Sequence, residues 1–516
     1  MLRDRPHVRP QLPSMNKDEP HFGQTLMAAP QSNHSAPLEL PQEIVHIIVN
    51  EVAAISLPSD SDAATDHSMD IGTLKVCSLI SKAFYYETRI HLFNRVDLHF
   101  GQGDSTFSTQ KRAAKFVKIL TRNLCGANLV STIRFLTITI HVPNPDPPTL
   151  MGKVRLRLEG KPHQIMSRAG LVKDNVMKLL EVMACSKTLD SFNLHQKPVG
   201  RHAWDSKYNP FIARICSNPL LKSLTLNGIT DLPFSILLNI FTSDSLREVT
   251  FSNMYWLRQN ANELRNLIIA KSPIISKIEK LDLSNTPYMY FLHALGAGDI
   301  FPPSQNPVEL IVSFPRLREL VVCVPTRIEE ERHCVQKFIS HTASTIEYLE
   351  FQYEWTQRSS TVYMPVNQLE RLRDLKFTIS ASLFETEASQ LAMIQLLPSE
   401  SSIPLTSITV EIEVNLMQFR PHASTYYEEF ARVFFAPGSS WEVLDAAFAR
   451  QSLENLKKVV FEYNLVHFQV QGTTVSLPQK EAPIDPHILF PRLSSNPSMD
   501  VQINVTSTFL PVIIMI

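Results

Sequence analysis

From Ile133 onward one spacing of apolar residues recurs: an apolar residue, two others, an apolar residue, one other, an apolar residue. The copies are Ile133-Leu136-Ile138, Leu189-Phe192-Leu194, Leu221-Leu224-Leu226, Leu246-Val249-Phe251, Ile278-Leu281-Leu283, Leu317-Leu320-Val322, Ile346-Leu349-Phe351, Leu372-Leu375-Phe377, Leu405-Ile408-Val410 and Leu456-Val459-Phe461. Alternation at the last two positions is the period of a strand with one buried face. Successive copies start 25 to 56 residues apart, room for one strand and one helix, with extra segments in the widest gaps. Helical apolar spacing falls between several copies, over Val172 to Ala184, Phe234 to Phe241, Leu257 to Ala270, Ile328 to His341, Glu385 to Leu397 and Tyr426 to Phe435. A unit of this size cannot bury its own apolar face, but stacked neighbours build a continuous core. The pattern predicts an α/β fold over 99–516: an irregular solenoid of about ten repeats, parallel strands inside and helices outside.

A different pattern occupies 38–98. Pro41 falls at the first helical position, where its fixed φ suits the helix and its missing N–H costs nothing. Ile44, Ile48 and Val52 recur every four residues, and Val45 and Val49 form a second row, so the apolar sector is wider than a surface helix needs. Leu74, Cys77, Ile80 and Phe84 step by three or four along a second helix, and Ile90, Leu92, Phe93, Val96 and Leu98 carry the chain into a strand. Two short helices cannot bury this much apolar surface alone, so the excess must face something else. Ser56 to Asp70, at 56–70, reads as an inserted solvated loop. Its Asp60, Asp62 and Asp66 fall short of a calcium loop, because Thr65 replaces the required Gly and Ile71 the required Glu. Residues 1–37 are rich in Pro, Ser, Asn, Gln and His without hydrophobic period and predict a disordered tail.

Leu40-Pro41-Gln42-Glu43-Ile44, the run from Cys77 to Phe84 and the pair Leu92-Phe93 resemble an F-box. The ten copies resemble leucine-rich repeats, although the Asn of the ninth position survives only at Asn464, with Ile229, Met254 and Pro325 among the replacements. Together the resemblances imply a substrate-recognition adaptor of a Skp-cullin-F-box ubiquitin ligase, with no catalysis of its own. Leu40, Pro41, Ile44, Ile48, Leu74, Cys77, Ile80 and Phe84 would seat a Skp-family adaptor, and through it a cullin, while the solenoid binds a protein substrate. The alternative is a non-ligase interaction scaffold whose F-box-like helices only cap the solenoid.

Charge narrows the partners. With 49 basic and 50 acidic residues, the formal net charge of −1 supplies no global field toward nucleic acid or an anionic membrane. A hydrophobic share of 44% provides for a large core, yet no run approaches the roughly 18 apolar residues of a membrane span. The N-terminal stretch has no apolar leader, so a cytoplasmic and/or nuclear location is expected. Cys77, Cys125, Cys185, Cys216, Cys323 and Cys334 are widely spaced and read as reduced core thiols.

Candidate chemistry is sparse. Gly101-Gln102-Gly103 lacks the third glycine of a dinucleotide-binding turn, and His333 and Cys334 are neighbours that point apart on a helix. No cofactor and no metal site is expected. Binding is more legible, because strand residues beside the apolar positions alternate outward. From Leu221 onward this face carries seven acidic and three basic residues. Glu248, Asp282, Glu319, Tyr348, Glu350, Asp374 and Glu411 are its candidate substrate contacts, suited to a partner with a basic segment.

Overall fold

Every one of the ten repeated triplets falls on its own strand or leads into one, and the strands join in a single open sheet. In the computed structural model the strands are β1 (Arg95–Gly101), β2 (Phe135–His141), β3 (Ser191–Lys197), β4 (Ser223–Asn227), β5 (Glu248–Ser252), β6 (Ile274–Ile275), β7 (Lys280–Leu283), β8 (Val312–Ser313), β9 (Glu319–Val324), β10 (Tyr348–Glu354), β11 (Asp374–Ser382), β12 (Ser407–Asn415), β13 (Lys458–Val470) and β14 (Asp500–Val512). Twelve of them pair in chain order, β6 and β8 standing apart as a two-stranded sheet, and every pairing is parallel. The molecule is therefore a mixed α/β fold dominated by a large parallel sheet, with β1 and β14 at its two ends.

The structure describes residues 40–56, 72–101, 114–120, 129–141, 174–197, 205–230, 232–254, 274–284, 312–324, 329–354, 366–382, 397, 403–415, 439–450, 453–470 and 489–512. The expected tail, residues 57–70 of the expected loop with its aspartates, the glycine turn beyond Gly101 and Cys125 lie outside them. So do the helical patterns at 257–270 and 426–435, and all of 385–397 except Leu397.

Register explains why the triplets recur. The middle position runs across the sheet from Leu136 through Phe192, Leu224, Val249, Leu281, Leu320, Leu349, Leu375 and Ile408 to Val459. No residue of the ten triplets is more than 2% exposed. A parallel sheet aligned this way stacks like on like, each buried aliphatic or aromatic side chain contributing about 1.5–3 kcal/mol relative to exposure. The first triplet residue precedes its strand, and the next backbone position supplies the tie between units. The carbonyl of Asn94 accepts from Arg134 N at 2.9 Å and Phe135 N at 3.0 Å, and the carbonyls of Arg134, Asp190, Lys222, Arg247, Glu279, Arg318, Glu347, Arg373 and Thr406 each accept two amides from the following unit.

Helices cover the apolar face. Residues 174–183 bury Val176, Leu179, Leu180 and Met183, and Phe234–Phe241 buries Phe234, Ile236, Leu237, Ile240 and Phe241 against the same core. Glu329–Thr342 adds Cys334, Val335, Phe338 and Ile339. Two helices, Asn209–Cys216 and Ser439–Phe448, are not signalled by the helical spacing above. The first begins at Asn209-Pro210 and buries Ile212, Ile215 and Cys216; in the second, Trp441, Leu444, Ala447 and Phe448 are the buried face. The turns that follow residues 174–183 and Asn209–Cys216 are closed by side chains: Asn218 Nδ2 donates to the Ser186 carbonyl at 2.9 Å, and Ser243 Oγ and Ser245 Oγ donate to the carbonyls of Cys216 and Asn218 at 2.8 and 2.7 Å. Buried Asp445 accepts from the amides of Arg492 and Leu493, both at 3.0 Å, which ties Ser439–Phe448 to the short helix Pro491–Ser494 before β14.

The N-terminal segment forms three helices rather than two: α1 (Gln42–Ser56), α2 (Gly72–Ile80) and α3 (Lys82–Leu92). The expected single second helix breaks at Ser81, which is extended (φ −158°, ψ 170°) and whose Oγ accepts from Phe84 N at the start of α3. Pro41 stands just before α1, its carbonyl accepting from Ile44 N and Val45 N. These helices have a core of their own, Val45, Val49, Leu74, Cys77 and Phe84, separate from the core of the sheet. The expectation that all cysteines are core thiols is corrected at Cys185, which is exposed, while Cys77, Cys216 and Cys334 are buried.

Candidate functional site

Among the described residues, the helical unit and the polar face of the sheet carry the side chains that the sequence marks for a partner. In α1 three rows point three ways. Val45 and Val49 fill the inside, at 1% and 0% exposure. One turn apart along the next row, Gln42, His46 and Asn50 form a polar seam with α3. Gln42 Nε2 donates to Glu87 Oε1 at 2.7 Å, His46 Nδ1 lies 2.9 Å from Glu87 Oε2, and His91 Nε2 lies 3.0 Å from Asn50 Oδ1. Burial holds His91 below its ordinary pKa, with Glu87 opposing. The third row, Ile44, Ile47 and Ile48, faces water.

The same division runs through α2. Leu74 and Cys77 face inward, whereas Val76, Leu79 and Ile80 are exposed, Leu79 at 85%. Ten of the fourteen exposed large hydrophobic side chains among the described residues fall between Leu40 and Ile90, so the excess is concentrated in this unit. Of the eight expected docking residues, Leu40, Pro41, Ile44, Ile48 and Ile80 are exposed. Leu74, Cys77 and Phe84 are not available for contact, because they are the interior that holds α1, α2 and α3 together.

On the sheet, the expected contacts Glu248, Asp282, Glu319, Tyr348, Glu350, Asp374 and Glu411 all occupy the rows opposite the buried triplets. Their charges are less open than the count of acids implied. Lys280 stands in register between Glu248 and Glu319 and reaches Glu319 at 3.0 Å. Burial pulls Lys280 down, but the hydrogen bond and charge of Glu319, with Glu248 and Asp282, hold its pKa above the ordinary value. Glu350 is only 12% exposed and accepts from Tyr348 Oη at 2.9 Å, Gln352 Nε2 at 3.1 Å and Thr378 Oγ1 at 3.0 Å. Lys376 lies 3.9 Å from Glu350 and 2.8 Å from Glu411. Glu350 is thus a strut within the face rather than an open contact, and the Tyr348 phenol is raised by its own burial and then by the Glu350 carboxylate beside it.

Asp282 is drawn above the usual carboxylate range by burial, although Ser284 N donates to its Oδ1 at 2.9 Å. Glu248 and Glu462 are exposed and remain accessible to a partner. Sequence spacing located these rows; it could not show which acids are matched by lysines on adjacent strands, since that depends on register between distant segments.

A polar cleft of about 380 Å³ opens between the ends of Asn209–Cys216 and Phe234–Phe241, lined by Cys216, Asn239, Thr242, Ser243, Asp244 and neighbours. Complete burial pushes the Cys216 thiol up to about 12, and its Ser243 hydroxyl is spent on a backbone carbonyl, so neither is poised as a nucleophile. Among the described residues no group of three His, Cys, Asp or Glu side chains could hold a metal ion, and no helix is long and apolar enough to cross a membrane. Comparison with protein-family models and with curated proteins finds no match for this chain.

Proposed function

We propose that this chain is an adaptor with two binding surfaces, the F-box type that its sequence resembles. The helical unit docks on a Skp-family adaptor through Leu40, Pro41, Ile44, Ile48 and Ile80, and thereby on a cullin-based ubiquitin ligase. The polar face of an irregular leucine-rich-repeat-like solenoid receives a protein substrate. The observation that carries this reading is the divided helical unit: its interior is already filled by Val45, Val49, Leu74, Cys77 and Phe84, yet Ile44, Ile47, Ile48, Val76, Leu79 and Ile80 still face water. At about 25 cal/mol per Å² of apolar area removed from water, covering such rows is a strong driving force for association.

The solenoid half of the reading is supported by strand order that follows the chain and by triplets that stack in register. A cytoplasmic or nuclear site of action accords with it. The experiment is co-purification of the full chain with a Skp-family adaptor, compared with Leu40→Asp plus Ile44→Asp. Both positions are exposed, so the variant keeps its helical content, and capture is expected to disappear. Capture that survives the double substitution, or a well-folded wild-type chain that is never captured, overturns the reading.

One observation favours a second reading, a scaffold whose helices only cap the sheet. Phe93, directly after α3, stacks on Phe116 at 6.1 Å and packs on the core of the sheet, and the Asn94 carbonyl bonds β2. Capping engages only the end of α3, however, and leaves the outer rows of α1 and α2 without a role.

A further inference from the structure

The polar face changes character at β1 to β3. Toward the C-terminal ends of these strands the outward side chains are His99, Thr139, His141, His195 and Lys197. His99, Thr139 and His195 are in register on three adjacent strands, as are Gly101, His141 and Lys197 one row on. The rings of His99 and His141 lie 5.8 Å apart, and Thr139, between His99 and His195, is only 4% exposed. Among the described residues the charged groups that face these rings are Asp97 on β1, 3.5 Å from His99 Nε2, and Lys197 on β3. The row continues on β4 with Asn227, which is uncharged.

One carboxylate therefore answers three imidazoles and an ammonium. Burial, then His99 and Lys197, hold His141 below its ordinary value; burial and Lys197 do the same to His195, with Asp97 opposing. As pH falls, His141 and His195 gain positive charge that, among the described residues, only Asp97 opposes. An anion seated there would supply the missing charge and would take up protons as it binds. A cation does not fit, since no three of these groups converge on a metal position.

We propose that the β1–β3 end of the polar face binds a carboxylate-rich peptide segment of the protein partner, and that capture strengthens as pH drops below neutrality. This rests on the reading of the polar face as the partner-binding surface. Fluorescence anisotropy with an end-blocked octaglutamate peptide and the full chain tests it. Binding is expected to be about tenfold tighter at about pH 5.5 than at about pH 7.5, with an octalysine peptide showing no such gain. His141→Gln with His195→Gln is expected to abolish the gain. Equal affinity at the two pH values, or a gain that persists in the double variant, overturns the proposal.

Should that variant fail to fold, histidine-labelled wild-type chain decides the matter by NMR: octaglutamate must raise the titration midpoints of His141 and His195, and unchanged midpoints overturn the proposal. No Skp-family adaptor is present in these experiments, so their failure leaves the docking of the helices untouched. Retained capture of a partner through Glu248 and Glu462 would preserve the polar-face reading while this inference falls.

Discussion

Leu349 and Phe351 on β10 are fully buried, and the residues beside them, Tyr348, Glu350 and Gln352, bond to one another on the opposite face. On α1, by contrast, Val45 and Val49 are inside and Gln42, His46 and Asn50 are bonded to α3 or to each other, while Ile44, Ile47 and Ile48 are exposed. Both regions satisfy their interiors; they differ in what is left over. The sheet leaves a polar surface whose acids are partly matched by Lys280 and Lys376, and the helical unit leaves aliphatic rows. Leftover polar groups can rest in water, whereas leftover aliphatic rows are a driving force waiting for a partner.

The largest loss is expected in the core of the sheet. Phe461 packs against Trp441, Phe448, Tyr463 and Phe490, with the Phe490 ring 4.9 Å away. Phe461→Ala is expected to lower stability by about 3–5 kcal/mol in denaturant unfolding. A loss below about 1 kcal/mol would show that the aromatic cluster tolerates cavities and that the sheet is not the closed core described above.

Asp445→Ala comes next, since it strands the amides of Arg492 and Leu493, and about 1–3 kcal/mol is expected in the same measurement. Asp445→Asn, which keeps an acceptor oxygen, is expected to lose less. A smaller effect follows pH. His91, His141 and His195 all have folded pKa values depressed below 6.5 by burial, so protonation favours the unfolded chain. Stability is complete above the unfolded value and is lost as pH falls through the depressed folded values. Thermal unfolding is therefore expected at lower temperature at about pH 5.5 than at about pH 7.5, and His91→Gln is expected to flatten that slope. An unchanged slope would remove His91 from the account. The smallest effect belongs to the outer rows: Ile44→Asp and Ile80→Asp are each expected to change stability by no more than about 0.5 kcal/mol, because at these exposed positions they open no buried cavity and bury no polar group. A large loss at either position would mean that these side chains are packed after all.

Much of the sheet was legible because its triplets obey a short, local rule. Phe93, Val96 and Leu98 obey it too, with the same spacing, and β1 joins the sheet in that register: Val96 pairs with Leu136 and Leu98 with Ile138. The first strand was thus written in the sequence but hidden beneath the helical pattern that precedes it. At β14 the rule is incomplete. Val501 and Ile503 pair with Val459 and Phe461, but Ser498 stands where the first apolar residue belongs, and its amide bonds to Asn496 Oδ1 instead. At the ninth position, Ile229 and Met254 are both fully buried, so core packing replaces the asparagine of a regular repeat there. Gly228 and Asn253, one residue earlier, both take positive φ, 74° and 52°, where glycine and asparagine are the residues that turn most readily.

For the helices, spacing showed that the apolar sector was too wide without showing which row faces out. Ile44 and Val45 are adjacent and equally apolar; only the packing of α1 on α3 through Gln42, His46 and Asn50 assigns one to water and the other to the core. The break at Ser81 was also readable only in part, since a serine within a helical pattern is as often tolerated as it is a cap. The charge balance of the polar face depends on which strands are neighbours, and no local rule contains that information.

If the outer rows of α1 and α2 seat a Skp-family adaptor, as we propose, its binding must slow exchange there. Amide hydrogen exchange of the full chain, alone and with a purified Skp-family adaptor, tests it most directly. The expected result is that amides of α1 and α2 exchange at least about tenfold more slowly with the adaptor present, while those of β4 to β12 are unchanged. Exchange in α1 and α2 that is the same with and without the adaptor would contradict it.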